Sequence, residues 1–427
     1  MLKKNVLVQL IGGGRIPVGF CGEMFRALFC RADGQKSGMR PVDPGHPRGG
    51  SPLLVLVALC VFGASGSASA GAAQTARSPE PAETGAPSRL TLDAFRTPDA
   101  PCYDRSAHPH TAVVDTHVHF RPFGGPAVPF EEILGYFEAT GILFANVYGI
   151  GQMLPASSSC TYYLDCPGTP VTPTLKNDFV NAANVVTKTP ENLHLTLAMT
   201  FPDLADPDSI LAGMELLDAE YPGLFRWMGE VNLVKQALYG NGHEPVPAAT
   251  IGEWDGFMRV LRERGIPLAI HSDLGSDDEP TRYLPLMERV LRRYPDNAIV
   301  WVHMGLSREL TTMDPERHAA LMTSMLERHP NLMLDISWRV IDDAYFSTPE
   351  GRAAYVPFLN AFSERVLPGT DFLASRDKDL DVYREELEVT GRIHRHLDDD
   401  AFRNIALGGS YFRLLGLEYH PPPICSG

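Results

Sequence analysis

Two histidines separated by one residue stand near the end of a short apolar segment, Ala112 to Phe120, with the sequence AVVDTHVHF. Side chains two residues apart on a β-strand project from the same face, so His117 and His119 are expected to point the same way. Imidazole nitrogens are common ligands of zinc and related ions. The pair predicts part of a metal site, but the spacing also arises by chance, so further ligands are needed.

Other residues able to bind a metal lie toward the ends of later apolar segments. They are Glu230, His271, His303 and Asp371. Taken singly, each has a simple structural explanation, such as a buried histidine with a hydrogen bond or Glu230 paired with Arg226. Together with the first pair they would place four imidazoles and two carboxylates at one site. Such a set suits one or two divalent cations, with zinc favoured and manganese or iron as alternatives.

The elements that must position these residues alternate along the chain. Short segments rich in β-branched residues occur at 112–120, 144–151, 193–201, 225–233, 267–275, 298–306, 332–340 and 366–374. Between them lie stretches with apolar residues at three- and four-residue spacing, including 130–140, 251–264, 283–294, 318–329 and 355–366. This alternation predicts an α/β fold, a distorted (β/α)8 TIM barrel whose strand ends converge on one axis. An open doubly wound sheet is the alternative.

Two connections are longer than the others. Residues 152–174 follow the second predicted strand, and residues 234–250 follow the fourth. In a barrel both would lie on the C-terminal face, where active sites are found. They are therefore expected to form the walls and lid of a pocket.

The first hundred residues have a different character. An apolar run at 53–64 leads into Ser67–Ala70, the layout of a secretory signal peptide, with Met39 as the expected start and cleavage after Ala70. Residues 1–38 then form a dubious extension, 71–100 a disordered linker rich in Ala, Pro and Ser, and 101–427 a single catalytic domain. The protein would be periplasmic or secreted; an uncleaved membrane anchor is the alternative.

Four cysteines follow the expected cleavage site: Cys102, Cys160, Cys166 and Cys425. An even number suits an oxidising compartment, and the favoured pairs are Cys160 with Cys166 and Cys102 with Cys425. Four free thiols are the alternative. These pairs would close a small loop and join the two ends of the domain.

The formal net charge of −15 argues against nucleic acid and anionic membrane surfaces as partners, since both repel an acidic protein. A hydrophobic content of 44% and a charged content of 21% are typical of a soluble globular protein. We therefore expect a small-molecule substrate and no stable membrane association after signal cleavage. Homo-oligomerisation is left open.

The order His-x-His, Glu, His, His and Asp on successive strands resembles the amidohydrolase superfamily. The tail from Asn404 to Leu417 is similar to the final helix of its amidohydrolase-related branch, and the resemblance covers about 110–418. It implies a barrel in which His117, His119 and Asp371 hold a metal. His271 and His303 would be ligands of a second metal or catalytic groups. Glu230 as a bridging ligand favours two ions, because Lys235 is expected to lie too far into its loop to bridge.

This resemblance implies an exported metal-dependent hydrolase acting on an ester, lactone, amide or phosphoester bond. Asp371 would orient the attacking water and transfer its proton, while a second ion or His303 would polarise the substrate. The expected substrate contacts are Arg121, Tyr148, Trp338 and Arg339. A one-metal nonoxidative decarboxylase of an aromatic or unsaturated acid is the alternative, and a non-catalytic binding protein on the same fold is a third hypothesis.

Overall fold

The computed structural model describes residues 90–98, 100–108 and 110–426. The parallel strands are β1 (Val114–His119), β2 (Phe144–Tyr148), β3 (His194–Met199), β4 (Phe225–Val234), β5 (Leu268–Ser272), β6 (Ile299–Val302), β7 (Leu332–Asp335) and β8, in two segments, Val366–Leu367 and Phe372–Leu373. The helices are α1 (Phe130–Thr140), α2 (Lys176–Lys188), α3 (Pro207–Glu220), α4 (Asp255–Arg264), α5 (Leu284–Arg293), α6 (Pro315–Arg328), α7 (Pro349–Ala361), α8 (Leu380–Gly391), α9 (Asp399–Ile405) and α10 (Gly409–Leu415). No helix within these ranges is both long and apolar enough to cross a bilayer.

The sheet closes on itself through β8. The first segment of β8 pairs with β7, and the second pairs with β1 at the opposite end of the strand order. Between the segments, the Thr116 amide donates to the Pro368 carbonyl at 3.1 Å and the Asp371 amide donates to the His117 carbonyl at 2.8 Å. The ring is therefore complete, and the predicted (β/α)8 barrel is confirmed in place of the open sheet.

The strands are buried along almost their whole length because both faces are covered. β6, with the sequence IVWV, is buried at every position. Trp301 within it is fully buried, and its indole N–H donates to the Ser272 carbonyl on β5 at 2.8 Å. Parallel strands flanked by helices show this pattern, because one face meets the barrel interior and the other meets the helices.

The predicted strands were correct in place but mostly too long at their C-terminal ends. β5 ends at Ser272, and β6 ends at Val302 where His303 begins a short turn. Strand pairing stops at these points because the barrel mouth opens there. The residues beyond the ends are the ones that line the mouth.

The predicted linker was wrong at its C-terminal end. Leu92–Phe95 forms a short 3-10 turn, and the Phe95 ring is completely buried against Phe144 and Phe412. The Ala- and Pro-rich composition that suggested disorder belongs to the residues before this apolar segment. The predicted start at Met39, the signal peptide and the cleavage after Ala70 lie outside the described residues.

The expected single final helix was also wrong. Residues 404–417 instead include the end of α9, a break, and α10. Gly408 in the break has a φ of 85°, a left-handed conformation that glycine adopts readily. This turn lets α10 reverse direction and pack Phe412 beside Phe144.

Both predicted disulfides are present. Cys102 is bonded to Cys425 across 323 residues, and Cys160 is bonded to Cys166. The first bond is accompanied by backbone pairing between Tyr103 and Ile424. The segment before β1 is therefore fastened to the end of the domain.

Replacing Phe95 with alanine tests whether residues 90–98 belong to the folded domain. Loss of a fully buried phenylalanine should lower the free energy of unfolding by about 3–5 kcal/mol, measured by urea titration. Val186→Ala is the control, because that side chain is 60% exposed. A Phe95→Ala protein as stable as the Val186→Ala protein would contradict the packing described here.

Candidate metal centre

Four side chains from three strand ends bring their ligand atoms together. His117 and His119 end β1, Glu230 lies in β4, and Asp371 precedes the second segment of β8. The measured distances among their imidazole Nε2 and carboxylate oxygen atoms lie between 3.2 and 3.8 Å. A tetrahedral ion with ligand bonds of about 2.0–2.2 Å would separate its ligand atoms by about 3.3–3.6 Å. The arrangement therefore fits one tetrahedrally coordinated divalent ion.

The hydrogen bonds of the two imidazoles set which nitrogen faces this point. His119 donates its Nδ1–H to the Gly149 carbonyl at 2.6 Å, and the Nδ1 of His117 lies 2.8 Å from Asp335 Oδ2. Both Nε2 atoms then present lone pairs, and they lie 3.2 Å apart. Two lone pairs this close repel each other unless a proton or a metal ion lies between them.

The electrostatics of the site also favour a cation. Burial alone would lower the pKa of His117, but Asp335, Glu230 and Asp371 raise it well above its ordinary value. Burial would raise the pKa of Asp371, but His119, His303 and His117 hold it well below its usual range. The carboxylates therefore stay ionised and favour a positive charge at this point, carried by a proton or by a metal ion.

Asp335 was missed by the sequence analysis. It is the last residue of β7, fully enclosed, and its carboxylate also accepts from the Ser337 amide at 2.6 Å. The only trace of it in the sequence is that it is the single carboxylate within the seventh apolar segment, 332–340. It orients His117 rather than serving as one of the four ligands.

A second group of side chains lies beside the first. His271 at the end of β5 has its Nδ1 against Glu230 Oε1 and its Nε2 2.9 Å from Asp273 Oδ1. His303 has its Nδ1 3.1 Å from the Ser337 carbonyl, and its Nε2 lies 3.9 Å from Asp371 Oδ2. All six predicted metal-site residues are thus brought together at the barrel mouth.

The expectation that Lys235 lies too far away was wrong. Its Nζ is 2.9 Å from Glu230 Oε1 and 3.3 Å from His271 Nδ1. β4 continues to Val234, so Lys235 starts at the barrel mouth and its long side chain folds back toward Glu230. The residue is only 9% exposed.

The backbone at the mouth adopts conformations that are uncommon outside glycine. His303 and Asp371 both have a φ of 56°, and Trp338 has a φ of 87°. Such positions occur mainly where the surroundings hold them for a function. Here Asp115 holds the residue before Asp371, accepting from the Thr370 amide at 3.0 Å and from its hydroxyl at 2.7 Å.

A cavity of about 380 Å³ opens over the site. Its walls include His119, His271, His303 and Asp371 and residues of both long loops, among them Tyr162, Tyr163, Lys235 and Ala237. The two loops are joined because the Asn241 amide donates to the Cys166 and Thr169 carbonyls, each at 2.9 Å. The predicted role of these loops as pocket walls is confirmed.

One of the four predicted substrate contacts lies on the cavity wall. Trp338 lines it. Tyr148 is completely buried with its ring stacked on His117 at 4.5 Å, so it packs behind the site. Arg339 forms ion pairs with Asp343, Glu385 and Glu386, and neither it nor the half-buried Arg121 is on the cavity wall.

Two other cations were missed and do line the cavity. Arg308 lies over the Trp338 ring at 5.5 Å, and Lys378 lies over the Phe372 ring at 5.2 Å. Both follow strand ends by several residues, within loops that carry no periodic signal. Loop residues of this kind cannot be placed from apolar spacing alone.

Residues 197–408 match the family model described as Amidohydrolase, in agreement with the resemblance to the amidohydrolase superfamily. The matched segment contains Glu230, His271, His303 and Asp371, whereas His117 and His119 precede it. No curated protein matches the chain in sequence.

Several solved structures resemble the chain at low identity. A dihydroorotase from Campylobacter jejuni is 15% identical with a TM-score of 0.44, covering 72% of this chain and 84% of its own. An amidohydrolase from Burkholderia multivorans with bound zinc is 12% identical with a TM-score of 0.42, covering 72% and 99%. A probable 2-pyrone-4,6-dicarboxylic acid hydrolase from Acinetobacter baumannii is 12% identical with a TM-score of 0.42, covering 71% and 99%. Likeness at this level carries no information about substrate.

Replacing His119 with glutamine should abolish tight binding of zinc by the chelator-stripped protein, because one of the two imidazole ligands is lost. Equilibrium dialysis with zinc measures the ions bound per chain. His194→Gln is the matched control, since His194 begins β3 at the other end of the barrel. Equal zinc binding by both variants would contradict the assignment of His119.

Proposed function

We propose that the protein is an exported metal-dependent hydrolase that uses metal-activated water to cleave an ester, lactone, amide or phosphoester bond of a small molecule. The observation that carries this proposal is the convergence of two imidazole Nε2 atoms and two carboxylates beneath a cavity of about 380 Å³. Nitrogen and oxygen donors in a tetrahedral arrangement suit zinc. The match to the family model supports an enzyme over a non-catalytic binding protein.

An ion held by His117, His119, Glu230 and Asp371 would bind water as a fifth ligand, and that water would ionise near pH 7. Asp371 directs Oδ1 toward the two imidazoles and Oδ2 toward His303, so its carboxylate spans the ligand set and the cavity. That position suits it to accept the proton of the attacking water and return it to the leaving group.

His303 serves this chemistry as a proton acceptor or a ligand. Its Nδ1–H is donated to the Ser337 carbonyl, which leaves Nε2 unprotonated toward Asp371. A nitrogen with a free lone pair accepts a proton but does not polarise a carbonyl oxygen. Another group of the site must therefore polarise the substrate oxygen, the role that was expected for His303 in a one-metal site.

One part of the cavity wall favours binding of a carboxylate or phosphate group, although Asp165, Glu309 and Asp377 also line the cavity. Arg308 and Lys378 face the cavity, and among the described residues no carboxylate lies within ion-pair distance of either. Burial lowers the pKa of Lys378, which a bound anion would offset. Trp338 beside Arg308 adds an aromatic surface.

Export is supported by the two disulfides, Cys102–Cys425 and Cys160–Cys166. Disulfides persist in oxidising compartments such as the periplasm or the extracellular space. The predicted secretory signal supports the same location.

A nonoxidative decarboxylase of an aromatic or unsaturated acid is the second candidate. It is favoured by the ligand set of His117, His119, Glu230 and Asp371, which accounts for one ion, and by Arg308 and Lys378 on the cavity wall. A screen of esters, lactones, amides, phosphoesters and aromatic acids separates the two functions. Hydrolysis that is lost with a chelator and restored by zinc is the expected result, whereas release of carbon dioxide alone would overturn the proposal.

Replacing Arg308 with alanine should raise KM for an anionic substrate about tenfold with a smaller change in kcat, since one charged hydrogen bond is lost. Steady-state kinetics with the anionic substrate and a neutral analogue measures the effect. Arg282→Ala is the control, because Arg282 also covers an aromatic ring but lies off the cavity wall. An equal rise in KM for the neutral analogue would contradict anion binding by Arg308.

A further inference from the structure

We propose that the ammonium group of Lys235 occupies the position of a second cation in this site, so that the centre binds one metal ion and Lys235 polarises the substrate oxygen. This inference rests on the proposed function. It differs from the two-ion arrangement that Glu230 favours when the sequence is considered alone.

The two oxygens of Glu230 face different partners. Oε2 lies 3.3 Å from His119 Nε2 and 3.8 Å from His117 Nε2, where the metal ligands converge. Oε1 lies 2.9 Å from the Nζ of Lys235. In a two-metal site, a bridging carboxylate gives one oxygen to each ion. Here one oxygen faces the ligand set and the other is paired with an ammonium group.

A second ion would have to compete with the ammonium group of Lys235. Glu230, His271 and His303 could together offer three ligand atoms to an ion. Two of these residues already contact Lys235 Nζ, because Glu230 Oε1 lies 2.9 Å and His271 Nδ1 lies 3.3 Å from it. Since like charges repel, an ammonium group in this position disfavours a second cation beside it.

Lys235 is held firmly enough to serve as a fixed positive charge. Its Nζ lies 5.9 Å from the centre of the Phe123 ring, and the residue lines the cavity while being 9% exposed. Glu230 and His271 engage the ammonium group on one side. An ammonium group has three donors, so a further N–H is available for a substrate oxygen.

This position suits Lys235 to stabilise negative charge as it develops. A carbonyl or phosphoryl oxygen attacked by water gains charge, and a donor fixed in a mostly enclosed cavity stabilises that charge strongly. Lys235 would therefore perform the role that His303 cannot perform in its observed hydrogen bonding. Asp371 would accept the proton of the attacking water and return it to the leaving group.

The experiment measures zinc content and kinetics on the purified full chain, stripped with chelator, reloaded with excess zinc and desalted. The wild-type protein should hold one zinc per chain. Lys235→Met keeps the length and packing beside Phe123 but removes the charge. It should retain the first ion, while kcat falls by about a hundredfold, the usual effect of losing one such donor. Lys378→Met, the other lysine of the cavity wall, is the control for zinc content and should also hold one ion.

Two zinc ions per wild-type chain with hydrolytic activity would overturn the inference about Lys235 and leave the proposed function intact. An unchanged kcat in Lys235→Met with one ion bound would also overturn it. No zinc bound to the wild-type chain would instead overturn the proposed function itself. The three outcomes are therefore distinguishable.

Discussion

The structure of the site depends on two imidazole lone pairs directed at the same point. Asp335 engages the Nδ1 of His117, and the Gly149 carbonyl engages the Nδ1 of His119. With these nitrogens engaged, both Nε2 atoms must face each other at 3.2 Å. That arrangement is unfavourable unless a proton or a metal ion lies between them. The hydrogen bonds of the two histidines of β1 to Gly149 after β2 and to Asp335 on β7 therefore favour binding of a positive charge at this point.

The barrel meets this requirement at the point where its sheet closes. β8 is interrupted between Leu367 and Phe372, and the interruption carries Asp371 to the imidazoles. Gly369 is needed there, because a Cβ atom on it would lie 2.8 Å from the Cβ of His117. The buried carboxylate of Asp115 fixes the same segment through Thr370. The interrupted strand and the metal ligands therefore depend on each other.

The barrel and its six candidate ligands could be predicted from the sequence because both leave periodic signals. Apolar segments at regular intervals indicate strands, and His303 or Asp371 following a segment indicates the mouth. Asp115 and Asp335 could not be assigned their roles, since an aspartate inside an apolar segment looks like an exception until its partners are known. Whether Lys235 can contact Glu230 depends on where β4 ends, and apolar spacing does not fix the exact end of a strand. Arg308 lies in a loop with no periodicity.

X-ray absorption at the zinc edge of the zinc-loaded protein tests the account most directly, because it reports the atoms around the ion and any neighbouring ion. The account predicts about five nitrogen and oxygen neighbours at about 2.0–2.2 Å, two of them imidazole, with no second zinc at about 3.5–4 Å. A zinc neighbour at that distance would contradict the single-ion centre. A shell without imidazole would contradict the assignment of His117 and His119.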